Sequence, residues 1–363
     1  MLESRLYTSD GYDDSYHITS VIGRGTFGIV LKATHCQAGL VQIIESHEEV
    51  AIKRIPLKRN SRNEIALIRE VFALRNAYHR NVTYCLIIGV NSCSTKVVKL
   101  FDVIVNTDTI SLVMEYVGSS LKLAIEDFNR PLNDEIPRYY MYQLFIGLDY
   151  LHSLNIMHRD LKPDNVLVTS TGLLKITDFG QCCIYVSDDP NRNYDCQVAS
   201  RWYRAPELLF GSTAYNPKVD EWACGCIFTE FYNGAPLFAG RNDIEQIGKL
   251  ISVLGSPCER NWKGWNVMLG RGKIIFEDNK PVDNWKSIVP LASETCLSLL
   301  QKLIVYSAEE RYSAEIALQH EFFIVNIPKQ APYIPPPMSF KISQLTDSTE
   351  LDLNASLAQY YVN

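Results

Sequence analysis

The chain has 363 residues, of which 47% are hydrophobic and 21% charged, and its formal net charge is −6. This is the composition of an ordinary soluble globular protein, and the length suggests two or three domain-sized units. The acidic balance provides no basic field that would favour binding to nucleic acid or to an anionic membrane surface.

The N-terminus, the apolar runs and the cysteine spacing bear on targeting and on the redox state of the thiols. The N-terminal stretch MLESRLYTSDGYDD has no apolar run, so we expect no signal peptide. The longest strongly apolar run, Cys85 to Val90, is far too short to span a bilayer, and we expect no membrane insertion. The ten cysteines contain no CxxC pairs at zinc spacing. They are interpreted as reduced thiols of a cytoplasmic or nuclear protein.

Two β-branched runs, 17–21 and 29–32, flank a glycine pattern near the start of the chain. The pattern is G-x-G-x-x-G-x-V, formed by Gly23, Gly25, Gly28 and Val30. Glycines lack a Cβ, so the backbone can come close to phosphate groups. Dinucleotide-binding folds share the first six positions, but there a helix follows, whereas here strand-like residues follow. The pattern therefore favours a phosphate-holding loop between two strands.

A lysine ends the sequence Val-Ala-Ile-Lys on the next β-branched run, 50–55, and a helical pattern follows over 64–76. The apolar residues of this pattern are Ile65, Ile68, Phe72 and Leu74. We predict that Lys53 binds the α- and β-phosphates of a nucleotide and that a glutamate of the helix holds it. Glu70 and Glu64 compete for that role. Glu70 is preferred, because a carboxylate near a helix start commonly complements the helix dipole.

An apolar segment, Val82 to Lys96, called the insert below, separates this helix from two further β-branched runs, 97–105 and 111–115. The insert contains the apolar run named above, which is unsuited to exposure. It is interpreted as a segment that packs on the neighbouring sheet, as an added strand, or as a mistaken exon boundary. A second, smaller insert lies around 42–49.

The part of the chain over 120–327 has mostly helical patterns, clearest over 138–151 and 243–254. The strongest motif lies here: His158 to Asn165 fits H-R-D-x-x-x-x-N at every position. We predict that Asp160 accepts the proton of an attacking hydroxyl and that Lys162 neutralises charge on a phosphoryl group as it transfers.

A short Asp-Phe-Gly motif begins at Asp178. Mg²⁺ prefers hard oxygen ligands, so Asn165 and Asp178 are the predicted metal ligands. Any single aspartate could instead form a turn or a cap. The ordered occurrence of all these motifs in one chain nevertheless favours phosphoryl transfer.

An Ala-Pro-Glu motif ends at Glu207, whose carboxylate is expected to be buried and to need a partner. Arg311, predicted to lie in a late helix, is the candidate for this ion pair. The pair would anchor a substrate-binding floor and would take no part in chemistry.

From Ile327 the composition shifts to the proline-rich segment IPKQAPYIPPP, which cannot sustain a helix, and then to a polar stretch. Such a tail either docks into a domain that binds polyproline II helices, drapes over the fold or stays disordered. The predicted divisions are an N-terminal extension over 1–15, a catalytic domain over 16–327 and a tail over 328–363.

Over roughly 16–325 the chain resembles the eukaryotic protein kinases. The stretches WYRAPELL at 202–209 and VDEW at 219–222 resemble the cyclin-dependent kinase branch. GRNDIEQ at 240–246 and HEFF at 320–323 resemble the cell cycle-related kinase subgroup, which is associated with cilium assembly and acts on other kinases. The resemblance thus implies a role related to the cell cycle or the cilium, and the cilium as a further location.

The resemblance implies an α+β, two-lobed fold that binds ATP and Mg²⁺ between its lobes. The small lobe would be an antiparallel sheet with one key helix over 16–116, followed by a hinge over 115–119 and a mostly helical lobe over 120–327. Met114 falls at the gatekeeper position, and Glu115 to Val117 fall where the hinge binds adenine. The implied ATP-binding residues are Gly23, Gly25, Gly28, Val30, Ala51, Lys53, Glu70, Met114, Glu115 and Val117.

The resemblance also implies serine and threonine substrates, because Lys162 stands two residues after Asp160. Ser200 occupies the position at which a hydroxyl usually bonds that aspartate and lysine. Arg204 resembles the arginine that turns a backbone carbonyl in the substrate groove. A proline lacks an N–H and suits such a groove, so protein substrates with Ser/Thr-Pro sites are expected.

Departures from the branch concern its regulation. Asp195 stands where an activating phosphothreonine is usual and could pair with Arg69 and Arg159, although Cys183 replaces a third arginine. The hypothesis is partial ordering of this loop without phosphorylation, so that Asp195→Ala lowers activity. The alternative is a solvated loop acid.

Further departures concern partners and activity. Phe27 replaces an inhibitory tyrosine phosphosite. The helix keeps only the Arg-Glu end of the cyclin-binding motif, which argues against dependence on a cyclin-like activating protein. Two alternatives to an active kinase are a catalytically silent scaffold, favoured only by the inserts, and a small-molecule phosphotransferase, disfavoured by the Ala-Pro-Glu motif.

Overall fold

The structure is a computed structural model that describes residues 15–25, 28–35, 49–57, 62–77, 96–187, 192–267, 277–324, 327–328 and 330–338. The chain divides into two compact units. The smaller unit comprises Met1–Val71, Lys99–Tyr116 and Pro337–Asn363, and the larger comprises Phe72–Val98 and Val117–Pro336. Most of the predicted inserts, the N-terminal extension and the end of the tail lie outside the described residues.

The smaller unit contains a five-stranded antiparallel sheet with the strand order β1-β2-β3-β5-β4. Its strands are β1 (Tyr16–Gly25), β2 (Gly28–His35), β3 (Glu49–Pro56), β4 (Leu100–Val105) and β5 (Thr109–Glu115). Alternate residues of the central strands form an apolar core of Leu31, Ala33, Val50, Ile52 and Val113. β-Branched and apolar side chains on one face of a pleated sheet explain this core.

Four of the five predicted strands are present, and the fifth begins later than predicted. The run 97–105 was expected to be one strand, but β4 starts only at Leu100. Val97 instead forms a parallel bridge with Ile176, and the Val98 N–H donates to the Ile176 carbonyl at 3.0 Å. The first residues of the run therefore pair within the larger unit.

The predicted helix over 64–76 is confirmed as α1 (Arg62–Ala77). Its buried side chains are Ala66, Leu67, Glu70, Ala73, Leu74 and Ala77. Ile65, Ile68 and Phe72 are 55%, 67% and 47% exposed, so most of the apolar residues that predicted the helix lie on its solvent side. The helical spacing was correct, but three alanines, two leucines and Glu70 form the buried face, and of the predicting residues only Leu74 belongs to it.

The larger unit is mostly helical, as predicted. Its helices are α2 (Leu121–Glu126), α3 (Glu135–Ser153), α4 (Pro206–Leu209), α5 (Lys218–Asn233), α6 (Asp243–Leu254), α7 (Glu294–Leu303), α8 (Ala314–Leu318) and α9 (Glu321–Ile324). Short strands are β6 (Ser119–Ser120), β7 (Ile156–Met157), β8 (Val166–Val168), β9 (Leu174–Ile176) and β10 (Cys183–Ile184). β6, β8 and β9 form one sheet, and β7 pairs with β10.

Local sequence explains where these helices begin and how they pack. Asn242 caps α6 by accepting from the Glu245 N–H at 2.9 Å. Helix α5 is the centre of the unit, because its side chains from Val219 to Tyr232 are buried. A Cβ at Gly225 of α5 would lie 2.7 Å from a methyl of Ile304, so this close packing requires glycine.

The first part of the predicted tail packs on the larger unit. The Tyr140 hydroxyl donates to the Tyr333 carbonyl at 2.5 Å, and the Ser119 hydroxyl donates to the Pro336 carbonyl at 2.7 Å. The Tyr333 hydroxyl in turn donates to Asp127. These hydrogen bonds hold the proline-rich segment on the surface, which is the alternative in which the tail drapes over the fold.

No helix in the described ranges combines the length and the apolarity that crossing a bilayer requires.

Candidate active site

The smaller unit brings the predicted lysine and one of the two candidate glutamates together. Lys53 Nζ lies 2.8 Å from both carboxylate oxygens of Glu70, and both side chains are buried. Lys53 is placed by β3 and Glu70 by the buried face of α1. Glu70, and not Glu64, therefore holds the ammonium group, as preferred from the sequence.

The glycine pattern forms the turn between β1 and β2, where Gly23 pairs with Val30 and Gly25 with Gly28. A Cβ at Gly28 would lie 2.0 Å from the Arg54 carbonyl oxygen, so glycine is required there by the approach of β3. A Cβ at Gly23 would meet nothing closer than Val30 at 3.9 Å. Packing explains Gly28, whereas Gly23 keeps open backbone on its surface. Phe27 lies outside the described residues.

The other predicted nucleotide residues lie on β3, on β5 and just after it. Ala51 and Met114 are paired across these strands and are both buried. The Glu115 N–H donates to the Lys99 carbonyl at 2.9 Å. Val117, in the larger unit, is also buried. The roles of these residues stay predictions.

The larger unit gathers the predicted catalytic residues into one hydrogen-bonded cluster. Asp160 Oδ1 accepts from the Ser200 N–H and from its hydroxyl, both at 2.8 Å. Lys162 Nζ donates to Asp160 Oδ2 at 2.9 Å and to Ser200 Oγ at 3.0 Å. Asn165 Nδ2 donates to the Asp160 carbonyl at 2.9 Å. An acid, an amine and a hydroxyl thus converge from positions 40 residues apart.

Asp220 fixes the backbone of this loop, a role that the sequence analysis missed. Its carboxylate accepts the N–H groups of His158 and Arg159, both at 2.8 Å. Arg159 has a left-handed φ of 63°, which these bonds help to hold. His152 lies 2.9 Å from Asp220 and 3.2 Å from Glu221.

The charges around Asp220 are mutually stabilising. Burial alone would lower the pKa of His152, but the carboxylates of Glu221 and Asp220 outweigh burial and raise this pKa to about 10. Burial alone would raise the pKa of Asp220, but the hydrogen bond and charge of His152 outweigh it and lower that pKa. A buried ion cluster therefore supports the catalytic loop.

The predicted metal ligands share this unit. The Thr177 N–H donates to the Asn165 carbonyl at 3.0 Å, which ties the segment before Asp178 to the catalytic loop. Asp178 has a left-handed φ of 64°. The amide nitrogen of Asn165 is engaged with Asp160, which leaves its amide oxygen for a cation. One amide oxygen and one carboxylate are hard donors, so this set fits Mg²⁺.

Arg204 holds two backbone carbonyls of the adjacent segment. Its Nε donates to the Val198 carbonyl at 3.0 Å and its Nη2 to the Ala199 carbonyl at 3.1 Å. Ala199 has a left-handed φ of 65°. Burial lowers the pKa of Arg204, although the charge of Asp243 opposes this effect. Both carbonyls are therefore oriented towards the guanidinium.

The predicted ion pair between Glu207 and Arg311 is present. Arg311 Nη1 and Nη2 lie 2.9 and 3.2 Å from the two carboxylate oxygens. Arg311 was expected in a late helix, but it precedes α8. Ser313 caps α8 by accepting from the Ile316 N–H at 3.3 Å, so the helix begins after Arg311.

The predicted pairing of Asp195 with Arg159 is wrong. Arg159 Nη1 donates at 2.7 Å to the Tyr215 hydroxyl, which donates at 2.6 Å to the backbone carbonyl of Asp195. The Asp195 carboxylate accepts from the Gln197 N–H at 2.9 Å. Arg69 lies on α1, in the smaller unit. Tyr215 was missed because no local motif marks a tyrosine 20 residues from its partner.

Comparisons with known proteins agree with this architecture. A model of the protein kinase domain matches residues 16–323. Cyclin-dependent kinase 20 of Danio rerio is 40% identical over 314 residues, which are 86% of this chain and 84% of the relative. Cyclin-dependent kinase D-1 of Arabidopsis thaliana is 32% identical over 337 residues, which are 92% and 78% of the two chains.

A solved structure is also similar. It is the structure of the CAK complex from Chaetomium thermophilum bound to ATP-γ-S, and one of its chains matches with a TM-score of 0.73 and 25% identity. The match covers 86% of this chain and 92% of that chain. The predicted protein kinase fold is confirmed. The chain belongs to the protein kinase family, within its cyclin-dependent kinase branch, and is a serine/threonine protein kinase.

Proposed function

We propose that this kinase transfers the γ-phosphoryl group of ATP to serine or threonine residues that precede proline in other proteins. The carrying observation is the cluster in which Asp160, Lys162 and Ser200 lie within 3.0 Å of one another. Use of ATP is supported by the family and by the similar structure, that of a complex bound to ATP-γ-S.

Each group has a task in this proposal. The Asp160 carboxylate would accept the proton of the substrate hydroxyl, and Lys162 would stabilise negative charge as the phosphoryl group moves. Asn165 and Asp178 would hold Mg²⁺, which supplies positive charge to the phosphate oxygens when bound. In the smaller unit, Glu70 would keep the Lys53 ammonium oriented towards nucleotide phosphates.

The preference for proline rests on Arg204. A substrate residue with an N–H that faced the carbonyls of Val198 and Ala199 would have to compete with the Arg204 guanidinium, which already binds and orients both oxygens. Proline has no N–H to leave unsatisfied. The expected discrimination is about tenfold, because one unsatisfied buried donor costs roughly 1–3 kcal/mol.

The biological setting follows from resemblance alone. We propose a role related to the cell cycle or the cilium, other kinases among the substrates, and a cytoplasmic, nuclear or ciliary location. An activating partner protein is favoured by the exposed apolar side chains of Ile65, Ile68 and Phe72 on α1. Full turnover by the purified chain alone would argue against such a partner.

The test is a peptide-array phosphorylation assay with the purified chain and its Asp178→Asn variant. We expect labelling of Ser-Pro and Thr-Pro peptides that disappears in the variant. Labelling that is indifferent to the variant would indicate a contaminating enzyme. Nucleotide binding without any labelling would favour the silent scaffold, and a profile without proline would refute the specificity.

A further inference from the structure

An open cavity of about 490 Å³ lies beside the catalytic cluster, and the mechanism above does not use it. It is lined by Ser200, Arg201, Trp202, Tyr203, Gly240 and Arg241. Two arginines at one cavity on a substrate-handling surface suggest recognition of an anionic group.

The arginines at the cavity and next to it outnumber the carboxylates that they contact. Arg201 Nε lies 2.8 Å from an Asp243 oxygen, and Arg204 Nη1 lies 3.4 Å from the same carboxylate. One carboxylate is therefore shared by two guanidinium groups. Arg241 pairs with Glu245 at 2.9 Å, but its side chain is 90% exposed. Three arginines thus face two acids, which leaves one positive charge in excess.

Arg201 has donor capacity to spare. Its Nε is used by Asp243, and its Nη1 donates to the Arg241 carbonyl at 3.1 Å. Its Nη2 donates to none of the described residues, and 40% of the side chain is exposed. A guanidinium edge with free donors matches the geometry of a carboxylate.

The walls of the cavity are rigid. The Trp202 indole N–H donates to the Gly240 carbonyl at 3.1 Å. A Cβ at Gly240 would lie 2.5 Å from the Gln246 nitrogen, so this turn packs closely against α6. A preformed wall lowers the entropic cost of binding a peptide side chain.

The cavity is also close to the reacting hydroxyl. Ser200 belongs to its lining and donates to Asp160 at 2.8 Å, where the substrate hydroxyl would bind. An extended peptide advances about 3.3 Å per residue. Side chains within about three positions of the acceptor therefore come within reach of the arginine side chains.

We propose that Arg201 and Arg241 make this kinase select substrates with an aspartate or glutamate within three residues of the phosphorylated hydroxyl. This selection rests on the proposed function and adds a charge requirement to it. The substrate carboxylate would bind the free edge of Arg201, and Arg241 would contribute a more exposed charge.

The test uses the full chain and a Ser-Pro host peptide in which glutamate or glutamine is placed at each of the three positions before the serine and at the second and third positions after it. We expect a kcat/KM ratio of glutamate to glutamine peptide of about two- to fivefold at one position or more, carried by KM, because partly exposed ion pairs have this strength. The ratio should fall as salt is raised.

Variants assign the effect to residues. Arg201→Gln and Arg241→Gln should each reduce the ratio towards one, and Arg241→Glu should favour a lysine peptide instead. Arg260→Gln removes an exposed arginine that does not line the cavity, and it should keep the ratio. Arg241 is so exposed that its variants will fold even if the Arg201 variant does not.

Equal kcat/KM for glutamate and glutamine peptides at every position would overturn the selection while phosphorylation itself persists. An acid preference that survives in both glutamine variants would overturn its assignment to this cavity. Absence of any labelling that depends on Asp178 would instead overturn the proposed function, and the selection with it.

Discussion

Two regions of the larger unit bury an arginine, but they satisfy its charge differently. Beneath the substrate groove, Arg311 forms a two-pronged ion pair with Glu207. In the catalytic loop, the described partners of Arg159 are the hydroxyl of Tyr215 and two backbone carbonyls of the activation segment, residues 178–207. Both arginines are at most 2% exposed.

The two kinds of partner differ in how much stability depends on them. A buried charge with an ionic partner depends on that partner, since removing either member leaves the other charge buried and uncompensated. A buried charge among neutral oxygens is held only by hydrogen bonds, each with a net contribution of about 1 kcal/mol. Breaking the ion pair at the groove floor should therefore cause a large loss of stability. Single substitutions around Arg159 and the activation segment should cause small changes in stability and larger changes in activity.

The largest effect is expected from Arg311→Met. It leaves the Glu207 carboxylate buried without its cation, and the free energy of unfolding should fall by about 3–5 kcal/mol. Denaturant unfolding measures this, with Arg260→Met as the exposed control. A loss below about 1 kcal/mol would show that the two regions do not differ in this way.

The second effect concerns pH and the His152 cluster, which supports the catalytic loop that carries Arg159. The pKa of His152 is raised in the folded chain, so its contribution is complete below pH 6.5 and is lost as pH rises to about 10. The contribution is on the order of a few kcal/mol, because one pKa unit corresponds to about 1.4 kcal/mol.

Unfolding free energies measured between pH 6.5 and 10 should therefore fall more steeply for the native chain than for His152→Gln. The difference between the two proteins isolates His152 from the lysines and tyrosines that titrate nearby. Parallel curves would mean that His152 is not charged in the fold.

A smaller effect on stability is expected from Tyr215→Phe, which acts on the activation segment from outside it. Burial raises the pKa of Tyr215 to about 12, so its hydroxyl is protonated at neutral pH and bridges Arg159 to the Asp195 carbonyl. Loss of this hydroxyl should lower the free energy of unfolding by about 1–2 kcal/mol. Turnover should fall more than stability implies, with faster proteolysis between Cys183 and Ser200. Unchanged turnover and proteolysis would show that the Tyr215 hydroxyl does not order the activation segment.

The smallest effect is expected from Asp195→Ala. Alanine keeps the backbone carbonyl that Tyr215 binds and loses only the bond to the Gln197 N–H. Stability should change by less than about 0.5 kcal/mol, and activity by less than about threefold. A tenfold loss of kcat/KM would restore the hypothesis that the carboxylate orders the segment.

Motifs with fixed local spacing were predictable. Asp160, Lys162 and Asn165 lie in one short stretch, and the structure brings Ser200 to them as the resemblance implied. The preference for Glu70 over Glu64 was also decidable, because it depended on position along a helix.

Partners set by tertiary packing left no such signal. Tyr215 and Asp220 act on residues 20 and 61 positions away, and neither belongs to a spaced motif that names its target. The exposed Ile65 and Ile68 show that helical spacing gives the element and not its buried face. Backbone carbonyls such as that of Pro336 have no sequence signature at all.

The packed proline-rich segment has a consequence for synthesis. The hydrogen-bond partner of Tyr140 lies 193 residues further along the chain, and that of Ser119 lies 217 residues further along. At about 5–20 residues per second, a ribosome needs roughly 10–40 s to deliver these partners. For that time the Tyr140 and Ser119 hydroxyls lack these partners, so the surface that the proline-rich segment covers is completed only at the end of synthesis.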